Sequence, residues 1–183
     1  MLAQEGYWQL GLDRVVLMPA GRAPHKEIDQ DPGPEERYLM CDLASWGAEW
    51  LAASRAEIDR PGPSYTVDTL RELRRERPGD EIVLLLGADR AQSFRQWREP
   101  EEILSHAALA VTRRNGVGEE AVRAALAGLP GAERTRFFDM PAIEISSTVV
   151  RERAAARRPY RFFVPGRVAD RIEELDLYRE GGA

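Results

Sequence analysis

Apolar residues along this chain come alternately in short runs and at three-to-four-residue spacings, the mark of strands and helices taking turns. Leu2 to Leu10 reads as the end of a helix, and Gly11 is placed to stop it. Val15-Val16-Leu17-Met18 is a compact apolar run closed by Pro19 and Gly21, the pattern of a strand buried on both faces. From Glu35 to Trp46, the residues Leu39, Met40, Leu43 and Trp46 recur at helical spacing and predict one buried stripe. Ser54-Arg55-Ala56-Glu57-Ile58 alternates and predicts a strand near an edge. Thr66 to Arg75 predicts a helix with Val67, Leu70 and Leu73 on one side, ended by Pro78-Gly79.

Ile82-Val83-Leu84-Leu85-Leu86 is the strongest strand in the chain, and Gly87 closes it. Beyond it the pattern predicts a helix over Pro100 to His106, a strand over Ala108 to Val111, and a helix over Glu119 to Leu126. A strand over Arg136 to Phe138 and helices over Ser147 to Ala156 and Arg167 to Leu175 complete the series. Such alternation predicts an α/β fold, a doubly wound parallel sheet with helices on both faces. The length suits a single domain over residues 1–183, with 157–183 as its C-terminal helical extension. Arg113 to Gly118, containing Asn115-Gly116, is the expected mobile loop. A doubly wound sheet normally opens with a central strand whose turn cradles phosphate, whereas this chain opens inside a helix. Its first, central strand is therefore expected to be absent.

Composition narrows the function. Hydrophobic residues at 43% and charged ones at 31% fit a folded globular protein rather than a disordered one. A net charge of −5 provides no overall positive field for nucleic acid or an anionic membrane, so neither is expected as a partner. Any bound phosphate must meet a local basic cluster. No apolar run approaches the ~20 residues that span a bilayer, and the N-terminus lacks a secretory pattern. The single Cys41 cannot form an internal disulfide and reads as a small buried apolar residue; a cytoplasmic location is expected.

In open α/β sheets ligands bind beyond the carboxyl ends of the strands, and polar motifs collect there. Pro19-Ala20-Gly21-Arg22-Ala23-Pro24-His25-Lys26 is a stiff loop carrying three basic side chains, suited to a triphosphate or simply a solvated basic turn. Gly87-Ala88-Asp89 offers close backbone approach and a carboxylate for ribose hydroxyls, or a helix N-cap. Ile145-Ser146-Ser147-Thr148-Val149-Val150-Arg151 places hydroxyls and N–H groups at a helix start, with Arg151 one turn on; it reads as an anion site or a plain cap. Pro61-Gly62-Pro63-Ser64-Tyr65-Thr66 delivers N–H groups at another helix start, a seat for a small carboxylate. Trp97, in Phe94-Arg95-Gln96-Trp97, is placed to stack on a flat ring or to pack half-buried. His106 has no evident partner and reads as structural.

The segment Ile145 to Arg151 is similar to the I-S-S-T-x-x-R motif of the nucleotidyltransferase superfamily, a Rossmann-like group. Pro24-His25-Lys26, Pro61 to Leu70, Leu86-Gly87-Ala88-Asp89, and Trp97 with Pro100-Glu101-Glu102 resemble the further motifs of bacterial nicotinate-nucleotide adenylyltransferases. The resemblance runs from about Met1 to Tyr178. It implies attack of the 5′-phosphate of nicotinate mononucleotide on the α-phosphorus of ATP, with Mg2+ bound alongside ATP. By resemblance, His25, Lys26 and Arg151 are catalytic, and Gly87, Asp89, Ser146, Ser147, Thr148 and Arg151 bind ATP. Tyr65 and Thr66 then take the nicotinate carboxylate, and Trp97 stacks on the pyridine ring. Homo-oligomer formation is left open.

That family begins with a strand running into G-G-T-F-D-P-x-H-x-G-H, and the match here starts just after it. A misplaced start is the preferred explanation, and little or no adenylyl transfer is expected of the chain as written. A sibling such as phosphopantetheine adenylyltransferase would share the Ser-Ser-Thr helix start without the Pro-Ser-Tyr-Thr turn and Trp97. A non-catalytic nucleotide-binding remnant is the alternative from a different class.

Overall fold

Gly11 adopts the left-handed conformation at φ 64°, open to glycine at no Cβ cost, and ends helix α1 (Leu2–Leu10) where the sequence places its stop. The computed structural model describes residues 1–23, 31–113, 118–141 and 144–179. By its contacts the chain divides into two compact units, Met1–Val15 with Tyr65–Ala142, and Val16–Ser64 with Ile143–Ala183. Strands that form one alternating series in the sequence are hydrogen-bonded as two sheets.

The first unit is built on three parallel strands, β3 (Val83–Gly87), β4 (Ala108–Arg113) and β5 (Arg136–Asp139), in the order β3-β4-β5. Their register sets Gly87 opposite Thr112 and Arg113 opposite Asp139, so the three carboxyl ends share one edge. The middle strand β4 is buried from Ala108 to Thr112, as a parallel strand covered on both faces must be. Helices α4 (Thr66–Glu76), α5 (Ala88–Gln92), α6 (Pro100–His106) and α7 (Glu119–Leu126) belong to the same unit. Val67, Phe94, Ile103, Leu109, Val111 and Val122 make its core.

Helix α1 lies close on this sheet because Gly6 has no side chain. A Cβ there would stand 2.8 Å from Cδ1 of Leu85. The Gln9 carboxamide pairs with the backbone of Asp139 in both directions, Nε2 donating to the carbonyl at 2.7 Å and Oε1 accepting from the N–H at 3.0 Å. Arg71 of α4 donates to Glu102 of α6 through Nε at 2.7 Å and Nη2 at 2.6 Å, and to Asp68 of its own helix at 2.8 Å.

The second unit holds β1 from Val16 onward (Val15–Leu17) with β2 (Leu51–Ala53) as a two-stranded sheet, and helices α2 (Pro34–Ser45), α3 (Ala56–Asp59), α8 (Ser147–Ala155) and α9 (Gly166–Glu174). Ala154, Tyr160, Ala169 and Ile172 form its core, with Met40, Leu43 and Phe163 packed against them. Arg171 of α9 grips both carboxylate oxygens of Glu36 on α2, at 3.0 and 2.7 Å.

Four sequence expectations are corrected. Ser54 to Ile58 is not a strand: β2 ends at Ala53, and Ala56–Asp59 is a helical turn. Val16 is 41% exposed, so β1 is not buried on both faces. No residue of α2 is fully buried, and Trp46, just past its end, is 68% exposed with the Arg167 guanidinium 4.2 Å from its ring centre. His106 does have a partner, Glu102 one turn back on its own helix, at 3.4 Å. The expected mobile loop falls largely on residues 114–117, outside the described residues. Cys41 is half-buried, and that burial pushes its thiol pKa up against the opposing pull of Arg37.

Candidate functional site

In the first unit, β3 passes into α5 with no loop between them. Gly87 is the N-cap of that helix, so Asp89 lies exposed in its first turn rather than capping it. Among the described residues, chain neighbours aside, nothing lies within 4 Å of where a Gly87 Cβ would project, which leaves room for a ligand against the backbone. Asp89 stands in the first turn, at the electropositive end of a short helix.

Tyr65 is the N-cap of α4 and makes no side-chain capping bond. The first N–H groups of such a helix have no intrahelical acceptor and point out of its end, where Thr66 begins the first turn. Trp97 is half-buried against the core and meets the fully buried Phe94 ring at 5.3 Å between centres, tilted by 41°. Tyr65 packs on that same core. Arg98, next to Trp97, lies over the Tyr65 ring with its guanidinium carbon 4.5 Å from the centre. Tyr65, Thr66 and Trp97 are thereby brought into one neighbourhood, and the packing role of Trp97 is realised whether or not a ring stacks on it.

Helix α6 then starts from Glu99, held left-handed at φ 52°. Its carboxylate is engaged by Arg71 and by the Arg98 Nε. Sequence reasoning missed this anchoring; the only signal was the cluster of charges around Trp97.

In the second unit, Ser146 caps α8, its Oγ accepting from the Val149 N–H at 3.2 Å. Ser147 and Thr148 are exposed in the first turn, and Arg151 Nη2 donates to Thr148 Oγ1 at 3.3 Å. Among the described residues Arg151 makes no ion pair with a carboxylate. Ser147, Arg151 and Tyr178 line a cavity of about 150 Å³ whose remaining wall is apolar, including Met40, Val150 and Ile172. Hydroxyls, backbone N–H groups and a guanidinium at a nine-residue helix start can hold a phosphate.

The basic loop belongs to this unit as far as Ala23; Pro24, His25 and Lys26 lie outside the described residues. Its base is firmly held. Ser64 Oγ accepts from the N–H groups of Gly21 at 2.9 Å and Arg22 at 3.3 Å, while its own N–H donates to the Arg22 carbonyl at 2.8 Å. Arg37 donates to the carbonyls of Ala20 at 2.5 Å and Gly21 at 3.0 Å, and its other nitrogen pairs with Asp31. A Cβ on Gly21 would stand 2.3 Å from the Glu57 carbonyl oxygen, so only glycine fits. Neither Ser64 nor Arg37 was recognisable as a loop anchor from sequence, because both act across long separations.

Comparison with known proteins gives a consistent result. The cytidylyltransferase-like family model matches residues 2–153. A probable nicotinate-nucleotide adenylyltransferase of Thermus thermophilus is 40% identical over 179 residues, covering 98% of this chain and 90% of the relative. One of the same description from a Synechococcus species is 35% identical over 180 residues, covering 97% and 86%. The nicotinic acid mononucleotide adenylyltransferase of Plasmodium falciparum, solved in complex with NaAD, aligns with a TM-score of 0.76 over 97% of this chain and 88% of that one. Its sequence identity is 14%, so that likeness is one of fold.

Proposed function

Because the chain belongs to the cytidylyltransferase-like family, as one of its nicotinate-nucleotide adenylyltransferases, we propose a division of labour between its two groups of polar residues. The reaction joins ATP and nicotinate mononucleotide into nicotinate adenine dinucleotide. An oxygen of the mononucleotide 5′-phosphate forms a bond to the α-phosphorus, and the bond from that phosphorus to the bridging oxygen of the β-phosphate breaks. Pyrophosphate leaves. No covalent enzyme intermediate is needed, so catalysis rests on alignment and on neutralising charge as it moves.

In this reading Ser146, Ser147, Thr148 and Arg151 hold the ATP phosphates, and His25 and Lys26 act with Arg151 in catalysis. Gly87 and Asp89 take the adenosine side. The first N–H groups of α4, beside Tyr65 and Thr66, receive the nicotinate carboxylate, and Trp97 offers its ring to the pyridine. Nicotinamide, uncharged at that position, gains less from those donors. The observation that carries the reading is Arg151: it lies beside the hydroxyl-rich start of α8, tied to Thr148 and to no described carboxylate.

Among the described residues no group of three or more His, Cys, Asp or Glu side chains is arranged to hold a metal. A protein-caged ion does not fit them. Mg2+ is therefore proposed as cargo of the triphosphate, a mode in which it keeps several waters. Among the described residues no helix is long and apolar enough to cross a membrane, and a cytoplasmic enzyme is proposed.

Calorimetric titration with nicotinate adenine dinucleotide tests the whole reading, because the product carries both an adenylyl half and a nicotinate half. Binding that weakens at least tenfold in Arg151→Ala and in Trp97→Ala supports it. Absence of binding at millimolar dinucleotide overturns it.

A further inference from the structure

The turn after α9 carries two non-glycine residues in the left-handed region, Asp176 at φ 53° and Tyr178 at φ 67°. Side chains crowd the backbone in that region, so the turn is held there by its surroundings. Arg179 pairs with Asp176 across it. The outcome is that the Tyr178 ring packs against the core of the second unit and forms part of the same cavity as Ser147 and Arg151.

The phenol hydroxyl is poorly satisfied there. Its only hydrogen bond among the described residues is to the Met40 thioether at 3.9 Å, a weak acceptor. Charges of both signs bear on it: burial, with Asp31 acting in the same direction, outweighs Arg151 and Arg37 and pushes its pKa up. The hydroxyl therefore keeps its proton and is a donor in want of an acceptor. The Arg151 guanidinium that lines the same cavity favours an anionic one, and the cavity of about 150 Å³ is large enough for a phosphate oxygen cluster.

We propose that Tyr178 is a further ATP-binding residue, its hydroxyl donating to a phosphate oxygen of the triphosphate that Ser147 and Arg151 hold. The inference rests on the reading of the α8 start as the phosphate site. It gives the turn after α9 a direct part in nucleotide binding.

The test is calorimetric titration of the full chain with inorganic pyrophosphate, with ATP and with nicotinate mononucleotide. Tyr178→Phe keeps the ring and its packing and removes only the donor. Pyrophosphate and ATP should bind about tenfold more weakly to it, the usual cost of one hydrogen bond to a charged group, with mononucleotide affinity within about twofold of the parent. Unchanged pyrophosphate affinity in Tyr178→Phe, beside a clear loss in Arg151→Ala, overturns the inference and leaves the phosphate site standing. Unchanged affinity in both variants overturns the phosphate site itself. Equal losses for all three ligands in Tyr178→Phe would show a general disturbance and also overturn the inference.

Discussion

Arg71 Nη2 donates to Glu99 Oε2 at 2.5 Å, fixing the one residue between Arg98 and α6 that turns left-handed. Trp97 and Arg98 immediately precede that turn. Arg71→Ala should weaken nicotinate mononucleotide binding several-fold while leaving ATP binding unchanged, and should lower the melting temperature by a few degrees. Calorimetry with both ligands decides it: equal weakening would mean that the clamp acts on the fold at large.

The same guanidinium sets a pH dependence. Arg71 holds the Glu102 carboxyl down to about 2, against an ordinary value of 4.5. A depressed folded-state value means that the contribution to stability is fully present above 4.5 and is lost as the pH falls toward 2. Glu35, lowered chiefly by Arg55, and Glu119, lowered chiefly by Arg123, act in the same direction. Urea midpoints should fall as pH drops through this window, and Glu102→Gln should flatten the slope. An unchanged slope in that variant would remove Glu102 from the effect.

Two glycines separate tolerable from intolerable crowding. Gly6→Ala meets the end of the Leu85 side chain, which can rotate aside, and alanine favours the helix by about 0.5–1 kcal/mol; unfolding free energy should change by less than about 1 kcal/mol. Gly21→Ala meets backbone at Glu57 and Ile58, which cannot, and should cost about 1–3 kcal/mol. Chemical denaturation of both variants checks the contrast.

Trp97→Ala should weaken binding of the mononucleotide far more than that of ATP. Calorimetric titration with each ligand gives the answer, and parallel effects on both would remove Trp97 from the ring site. Because Trp97 also packs beside Phe94, Trp97→Phe supplies the control: it should fold normally and recover part of the loss.

Helices with strong periodicity were legible in the residues: α1, α6 and α7 have the bounds that apolar spacing, proline and glycine predict. Leu51-Ala52-Ala53 was not, since two alanines give no alternation and the Arg55–Ile58 stretch mimics one while folding as a turn of helix. The Glu102–His106 pair was visible in principle as a four-residue spacing. At the site, local motifs such as the Ser146 cap were readable because capping is a neighbour effect. Arg37 on Ala20 and Gly21, Arg98 over Tyr65, and Tyr178 beside Arg151 were not, because tertiary folding alone brings them together.

The Gln9 carboxamide has a final consequence. Strand β5 is an outer strand of its sheet, and such strands invite foreign chains to add on through their backbone groups. At Asp139 both of those groups are already engaged by a side chain that imitates a peptide unit. At that residue of the rim an incoming strand finds no free backbone group to pair with.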